Sequence, residues 1–395
     1  MIHINKVILY LFPLISYWGY SCVYTDLKIW KMLQFVSIPL LFVYVLSEIL
    51  SPHKTVIARN VLYIFGLVVL SVVMSFIVWG QDIVLGYRAS AGFFSVLFFF
   101  FLKKAQFPEK DINRFVIVYG VIWIFTWAVN MVMFPMPVFG LLDQEHISEA
   151  RGVARFFIQG DGFLYILFFF FLNRWMNANK KIYLALFVGI FIVIVMQVTR
   201  QTIAFCSLVA LYYLLKKSRR IFIYLAVAAA IFLFIDFNIP KDSVIGKLVE
   251  LSQDQYRDNS YGDRNVRLDE YEYFFTRYSP NIAAVVFGNG LPHDDSRYGR
   301  MYTELRNTMR YYYSDVGYAG IFIMMGILGL VVFVRFAFVL GFVKVYDKNI
   351  LWTKMFLMYL FLCNTVSFVI SVSIIPMVTA LYLIDKNSAI EKKKG

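Results

Sequence analysis

One apolar run after another, each near the ~20 residues that a helix needs to cross a hydrocarbon core of about 30 Å, leaves this chain few folds to adopt. Such runs lie at 7–24, 30–48, 61–79, 83–102, 115–133, 157–172, 182–198, 201–215, 221–237 and 317–343. A further run at 351–384 is too long for one helix and is interrupted by Asn364, Ser371, Ser373 and Pro376, so it reads as a tight hairpin of two. Inside a bilayer every backbone polar group has to be satisfied internally, which favours helices. The expected fold is therefore all-α, a polytopic membrane helical bundle of about 12 transmembrane helices. A composition of 60% hydrophobic and only 16% charged residues excludes an ordinary soluble domain.

Three parts follow: a transmembrane bundle over 1–237, a polar loop domain over 238–316, and the last spans with a basic tail over 317–395. A polar insertion that long on one face of a bundle usually carries function. Lys and Arg cluster in alternate loops: Lys54 and Arg59; Lys103, Lys104, Lys110 and Arg114; Arg174, Lys180 and Lys181; Lys216, Lys217, Arg219 and Arg220; Lys344, Lys348 and Lys354. The positive-inside rule makes those loops cytoplasmic. Both termini, with Lys6 and Lys392–Lys394, then lie in the cytoplasm and the long loop faces outward. The net charge of +13 thus reflects membrane orientation rather than a nucleic-acid surface. The first apolar run has no small-x-small cleavage site around Ser16-Tyr17-Trp18-Gly19-Tyr20 and reads as a retained helix.

With that orientation, arginines on the outer face become informative, because they are disfavoured there. Arg88 lies near the outer end of the fourth run, Arg151 and Arg155 precede the sixth, and Arg200 marks the turn between the seventh and eighth. Arg264 and Arg267 lie in the long loop, which Arg300, Arg306 and Arg310 close. A converging set of planar guanidinium forks suits phosphate or pyrophosphate. The competing reading pairs Arg88 with Asp82 and Arg264 with Asp263 or Asp269, leaving the others to headgroups and water. Arg200 has no acidic neighbour in sequence.

The long loop mixes both signs of charge, so it is no general basic patch. Val266, Leu268, Tyr271, Phe274 and Phe275 fall close to helical spacing, which predicts an amphipathic helix over 264–278 with Arg264 and Arg267 in its first turn. Phe287-Gly288-Asn289-Gly290-Leu291-Pro292 reads as a turn, since a lone Gly-x-Gly outside a βαβ unit is weak evidence for a nucleotide. Tyr298, Tyr302, Tyr311, Tyr312, Tyr313 and Tyr318, with Trp79 and Trp127, read as interfacial aromatics or as stacking faces for sugars. His146 and His293 lack a companion at metal-ligand spacing, and Cys22, Cys206 and Cys363 read as packing residues.

Three segments carry a resemblance to the O-antigen polymerase and ligase superfamily. Val195-Met196-Gln197-Val198-Thr199-Arg200-Gln201-Thr202 resembles its Ser/Thr-Arg-x-small span start. Arg264 to Pro280 followed by Val286-Phe287-Gly288-Asn289-Gly290 resembles its arginine-bearing loop helix, and Tyr313-Ser314-Asp315-Val316-Gly317-Tyr318 leading into Gly326-Ile327-Leu328-Gly329 resembles the re-entry into the tenth span. Ligases of the superfamily carry a His-Asn pair where this chain has Ser314-Asp315, which favours a polymerase.

The resemblance implies a GT-C-like bundle in a bacterial inner membrane and an inverting glycosyl transfer without metal or cofactor, between a polyprenyl-pyrophosphate-linked donor and acceptor. It leaves room for a chain-length regulator as a partner. Arg200 and Arg264 would stabilise the leaving pyrophosphate, Arg88, Arg151, Arg155 and Arg267 would bind it, and Asp315 would serve as base. Asp315 also reads as a helix N-cap. A ligase and a lipid-linked oligosaccharide flippase or transporter are the alternatives, although no internal repeat supports the latter. A metal-dependent glycosyltransferase would want an acidic motif in the first outer loop, where only Asp26 stands.

Overall fold

In a computed structural model of the protein, the described residues are 2–52, 55–134, 136–140, 156–197, 199–217 and 266–391. The run expected at 221–237, the segment 238–265 and the arginines Arg151, Arg155 and Arg264 lie outside them. The described chain is all-helical, with one isolated bridge between Cys22 and Phe139. Its helices are α1 (Ile2–Ser16), α2 (Leu27–Ile49), α3 (Val56–Trp79), α4 (Ile83–Phe94), α5 (Leu97–Ala105), α6 (Glu109–Met133), α7 (Gly162–Ala178), α8 (Lys181–Met196) and α9 (Arg200–Lys217). After the loop they are α10 (Val266–Thr276), α11 (Ile282–Phe287), α12 (Arg297–Met309), α13 (Gly317–Phe342), α14 (Leu351–Cys363), α15 (Val369–Val372) and α16 (Ile374–Glu391).

Four helices, α2, α3, α6 and α13, are long and apolar enough to cross a membrane. A fifth span is added if α4 and α5 are taken together, bent by 49°. The chain is thus a membrane protein by the length and composition of these helices, while the other described helices fall short of that combination of length and apolar character. The expected fourth span at 83–102 is corrected to this broken pair. The N–H groups of Ser95, Val96, Phe98 and Phe99 each bond three residues back, and such tightened turns redirect a helix. The first run also ends early, at Ser16, because Trp18, Gly19, Tyr20 and Ser21 all take positive φ, between 51° and 59°. The run at 351–384 divides between Cys363 and Ile374 into α14 and α16, which pack on each other, and neither is among the helices long and apolar enough to cross a membrane.

Burial follows the aromatic content. Phe98–Phe101 of α5, Phe163 and Phe168–Phe171 of α7, Trp352 and Phe356 of α14 and Leu381 and Tyr382 of α16 are all buried, so these helices form the centre. Around them α2 buries a stripe of Gln34, Ile38, Leu41, Val45 and Ile49 and exposes Leu40 and Val43. One apolar face turns inward at helical spacing, and the other suits hydrocarbon.

The loops gather at two opposite ends. At one end Lys103 meets Glu48 at 3.4 Å and Asp385 at 3.9 Å, Lys6 meets Asp111, and Asn173 donates to the carbonyls of Lys348 and Asn349. At the other, Val23 pairs with Val138, Gln81 donates to the Leu291 carbonyl, α10 packs on α13, α11 packs on α3 and α13, and Tyr298 of α12 stacks on Trp79 of α3. Loops that the charge pattern assigns to one side therefore share one end of the bundle.

The segment 266–316 has its own core. Phe274, Tyr278, Tyr298, Tyr302 and Leu305 are buried together with Val316, Ala319 and Ile323. This corrects the interfacial reading of Tyr298 and Tyr302: Tyr298 stacks on Trp79 at 4.7 Å between ring centroids. The Gly288-Asn289-Gly290 turn pins this core to the bundle. Asn289 N–H donates to Ile323 O at 2.6 Å, Gly290 N–H donates to Met324 O at 3.2 Å, and the Trp79 indole donates to Asn289 Oδ1 at 3.1 Å. Both glycines have positive φ, and a Cβ would lie 2.3 Å from Met324 O at Gly288 and 2.4 Å from Ser71 O at Gly290. Close backbone approach is what these glycines supply.

Candidate functional site

Asp26 caps α2 by accepting from Lys28 N–H, and Asp82 caps α4 by accepting from Val84 N–H. Those two helix starts flank a cavity of about 990 Å³ at the end of the bundle that carries the 266–316 segment. Lys28, Lys31, Arg88 and His293 line it, and among the described residues no carboxylate does. Asp82 serves as a cap, and Arg88 forms no ion pair among the described residues, which corrects the pairing of Arg88 with Asp82. Lys31 lies 5.3 Å from the centroid of the Trp18 ring, and Trp18 itself is fixed by donating to Gln34 Oε1 at 2.8 Å. Each non-glycine residue in the left-handed turn that sets Trp18 there costs about 1–2 kcal/mol, and strain of that kind concentrates at functional sites.

Burial, and next the nearby Arg88, lower the His293 pKa against the pull of Asp295 and Asp294. Its Nδ1 accepts from Asp295 N–H at 3.2 Å, so the neutral ring keeps its proton on Nε2. Apolar groups complete the wall, and Met32, Phe35 and Val84 are exposed at the rim between α2 and α4. Gly92 also lines the cavity, and a Cβ there would meet nothing within 4 Å.

A second group sits beside the cavity. Arg200 is the first residue of α9, and its neighbour Gln201 accepts from Arg267 Nη2 at 3.0 Å. The structure thus brings Arg267 to the start of α9, the helix that Arg200 opens, whereas Arg88 lines the cavity. One turn beyond Arg267, Glu270 is only 1% exposed, with Oε1 accepting from Tyr312 N–H at 2.9 Å. Its Oε2 is buried and has no hydrogen-bond partner among the described residues. Burial pushes the Glu270 carboxyl up to about 7; the Tyr312 hydrogen bond opposes this, Asp315 adds to it, and Arg267 opposes it. The expected apolar face of this helix is corrected accordingly: Val266 and Leu268 are exposed, and Glu270 with Phe274 forms the buried stripe.

Asp315 lies in a short 3-10 turn, Tyr313–Asp315, and accepts from the Ser314 hydroxyl at 3.3 Å. The N-cap of α13 is Val316, which makes no side-chain cap, so the capping role read for Asp315 is not realised. Tyr313 and Ser314 line the cavity, while Asp315 faces the field of Glu270. The turn therefore separates the two groups. Phe368 N–H donates to Ser314 O at 2.8 Å, and Tyr271 donates to Thr365 O at 2.7 Å, which ties both groups to the α14–α16 hairpin.

Neither profiles of known protein families, nor curated proteins, nor solved structures match this chain. Its site stands on geometry.

Sequence pattern alone misses Lys28, Lys31 and Glu270, and it weighs His293 only as a metal ligand. A signal for the lysines exists. Both lie near the start of α2, where the helix dipole disfavours positive charge, and on the side the orientation rule keeps poor in lysine. Among the described residues no cluster of His, Cys, Asp and Glu is arranged to hold a metal ion.

Proposed function

We propose that the protein polymerises polyprenyl-pyrophosphate-linked oligosaccharide repeat units at the outer face of a bacterial inner membrane. The proposed architecture is a GT-C-like bundle of about 12 spans with both termini in the cytoplasm. The observation that carries this reading is the cavity between α2 and α4: among the described residues its lining holds three cations and no carboxylate, with exposed apolar residues at its rim. A ligand with a strongly anionic head and a long apolar tail satisfies both surfaces, and a polyprenyl pyrophosphate is such a ligand. Asp315 beside it supplies a base.

In the proposed reaction an acceptor hydroxyl oxygen attacks the anomeric carbon of the growing glycan while Asp315 takes its proton. The glycosidic C–O bond to pyrophosphate breaks, and its electron pair leaves with the pyrophosphate. Arg200 and Arg267, with Arg264 assigned the same role from its place in the sequence, offset the charge that develops there, which is usually the largest single contribution in such a site.

Glycan from cells lacking the protein tests the reading. Loss of a polymerase leaves single repeat units delivered to the surface; long chains held on the polyprenyl carrier would instead indicate a ligase, and absence of surface repeats a transporter. Purified protein should also lengthen lipid-linked repeats with EDTA present.

A further inference from the structure

Polymerisation has a stoichiometric feature that ligation to another acceptor lacks: both substrates are lipid pyrophosphates. One pyrophosphate leaves, and the other remains attached throughout. These two need different chemistry. The leaving group gains charge in the transition state, so its site should hold donors that act on that change, and paired guanidinium forks do so best. The retained group has the same charge before and after, so its site only has to bind, and ammonium point charges suffice.

The outer end carries both kinds of site. On one side of the Tyr313–Asp315 turn stand Arg267 and the start of α9, where Arg267 donates to Gln201, the residue after Arg200. On the other is the cavity with Lys28, Lys31 and Arg88, which neither Arg200 nor Arg267 lines. Ser314 faces the cavity, and its neighbour Asp315 interacts with Glu270 of the arginine side. A sugar anchored by its pyrophosphate in the cavity is thereby placed beside the carboxylate that would deprotonate it. The cavity rim of Met32, Phe35 and Val84 gives the attached polyprenyl chain a way out between α2 and α4.

Resting on the polymerase reading, we infer that the α2/α4 cavity holds the retained pyrophosphate of the acceptor lipid, while Arg200 and Arg267 hold the leaving pyrophosphate of the donor. Lys28, Lys31 and Arg88 then set affinity for the acceptor, and Arg200 and Arg267 set turnover.

Farnesyl pyrophosphate serves as the binding probe, counted by native mass spectrometry on the purified full-length protein in detergent, with farnesol as the uncharged control. Two molecules of farnesyl pyrophosphate and none of farnesol should bind. Lys28→Gln/Lys31→Gln/Arg88→Gln should leave one, as should Gly92→Leu, which fills the cavity where no protein atom stands in the way of a Cβ. One molecule on the unsubstituted protein, or two on both variants, overturns the second site.

In elongation of lipid-linked repeats the triple variant should raise the acceptor KM roughly tenfold or more, as expected for lost charge-assisted contacts. Its kcat at saturation should hold. Lost kcat at unchanged KM would assign the cavity to the donor and refute the inference. If the unsubstituted protein elongates nothing, the polymerase reading falls, whereas the binding count still judges the second site.

Discussion

Replacing Glu270 by Gln should make the protein more stable at high pH and change little at low pH. The carboxyl rises from an ordinary 4.5 to about 7 in the folded protein, chiefly because it is buried. A raised folded pKa means that the stabilisation belonging to the neutral form is complete below about pH 4.5 and is lost as pH rises through about 7. Holding the ionised group buried therefore costs about 3 kcal/mol at pH 8 and about 1 kcal/mol at pH 5, from ~1.36 kcal/mol per pH unit. Gln keeps an oxygen to accept from Tyr312 N–H. Like protonated Glu, it leaves one donor beside the unpartnered Oε2 position, and that cost cancels between the two pH values. The gain of Glu270→Gln at pH 8 over that at pH 5 should be about 2.5 kcal/mol, read as a thermal-unfolding midpoint a few degrees higher in detergent. An equal shift at both pH values would refute the titration argument, and a lower midpoint at pH 8 would show that ionised Glu270 holds the fold.

Arg200→Lys should lower turnover about a hundredfold or more at equal protein abundance, since a point charge cannot reproduce the guanidinium fork; near-normal polymerisation would remove Arg200 from the site. Asp315→Asn should lose most activity in a folded protein, because the α13 cap does not depend on it, and an active variant would exclude Asp315 as base. Gly290→Ala should cost about 1–3 kcal/mol of stability from overpacking and reduce activity, because its Cβ would meet Ser71 O at 2.4 Å; unchanged hydrogen exchange in α10 and α12 would contradict the pinning role of the turn. A cysteine at Asp295, exposed in the loop, should react with a membrane-impermeant reagent in intact spheroplasts, and labelling only after lysis would invert the topology.

The helices that cross the bundle were the legible part of the fold, and the reason is solvent. Where a helix turns one apolar face to protein and the other to hydrocarbon, every position is apolar, so run length alone marks α2, α3, α6 and α13. The same uniformity hides a break. Around Ser95 the chain reads Gly92-Phe93-Phe94-Ser95-Val96-Leu97-Phe98, with no Pro and with a lone Gly92 that helices tolerate, so nothing in the run announces the tightened turns that redirect it. In the loop domain the opposite confusion holds. Tyr298 and Tyr302 have the composition of a membrane interface, yet burial against Phe274 and Leu305 makes them a core.

Half of the site could be read because arginine contradicts the orientation rule on a face that the charge pattern assigns to the outside. Lys28 and Lys31 violate the same rule more quietly, at the start of a helix whose later residues are apolar. Glu270 could not be read at all, because its importance lies in the absence of water around it. Burial of one carboxyl next to Arg267 and Asp315 also has a functional sense. The further the pH falls below about 7, the less negative charge Glu270 adds beside Arg267, so the same desolvation that weakens the fold at high pH favours the positive field on which the proposed pyrophosphate binding relies.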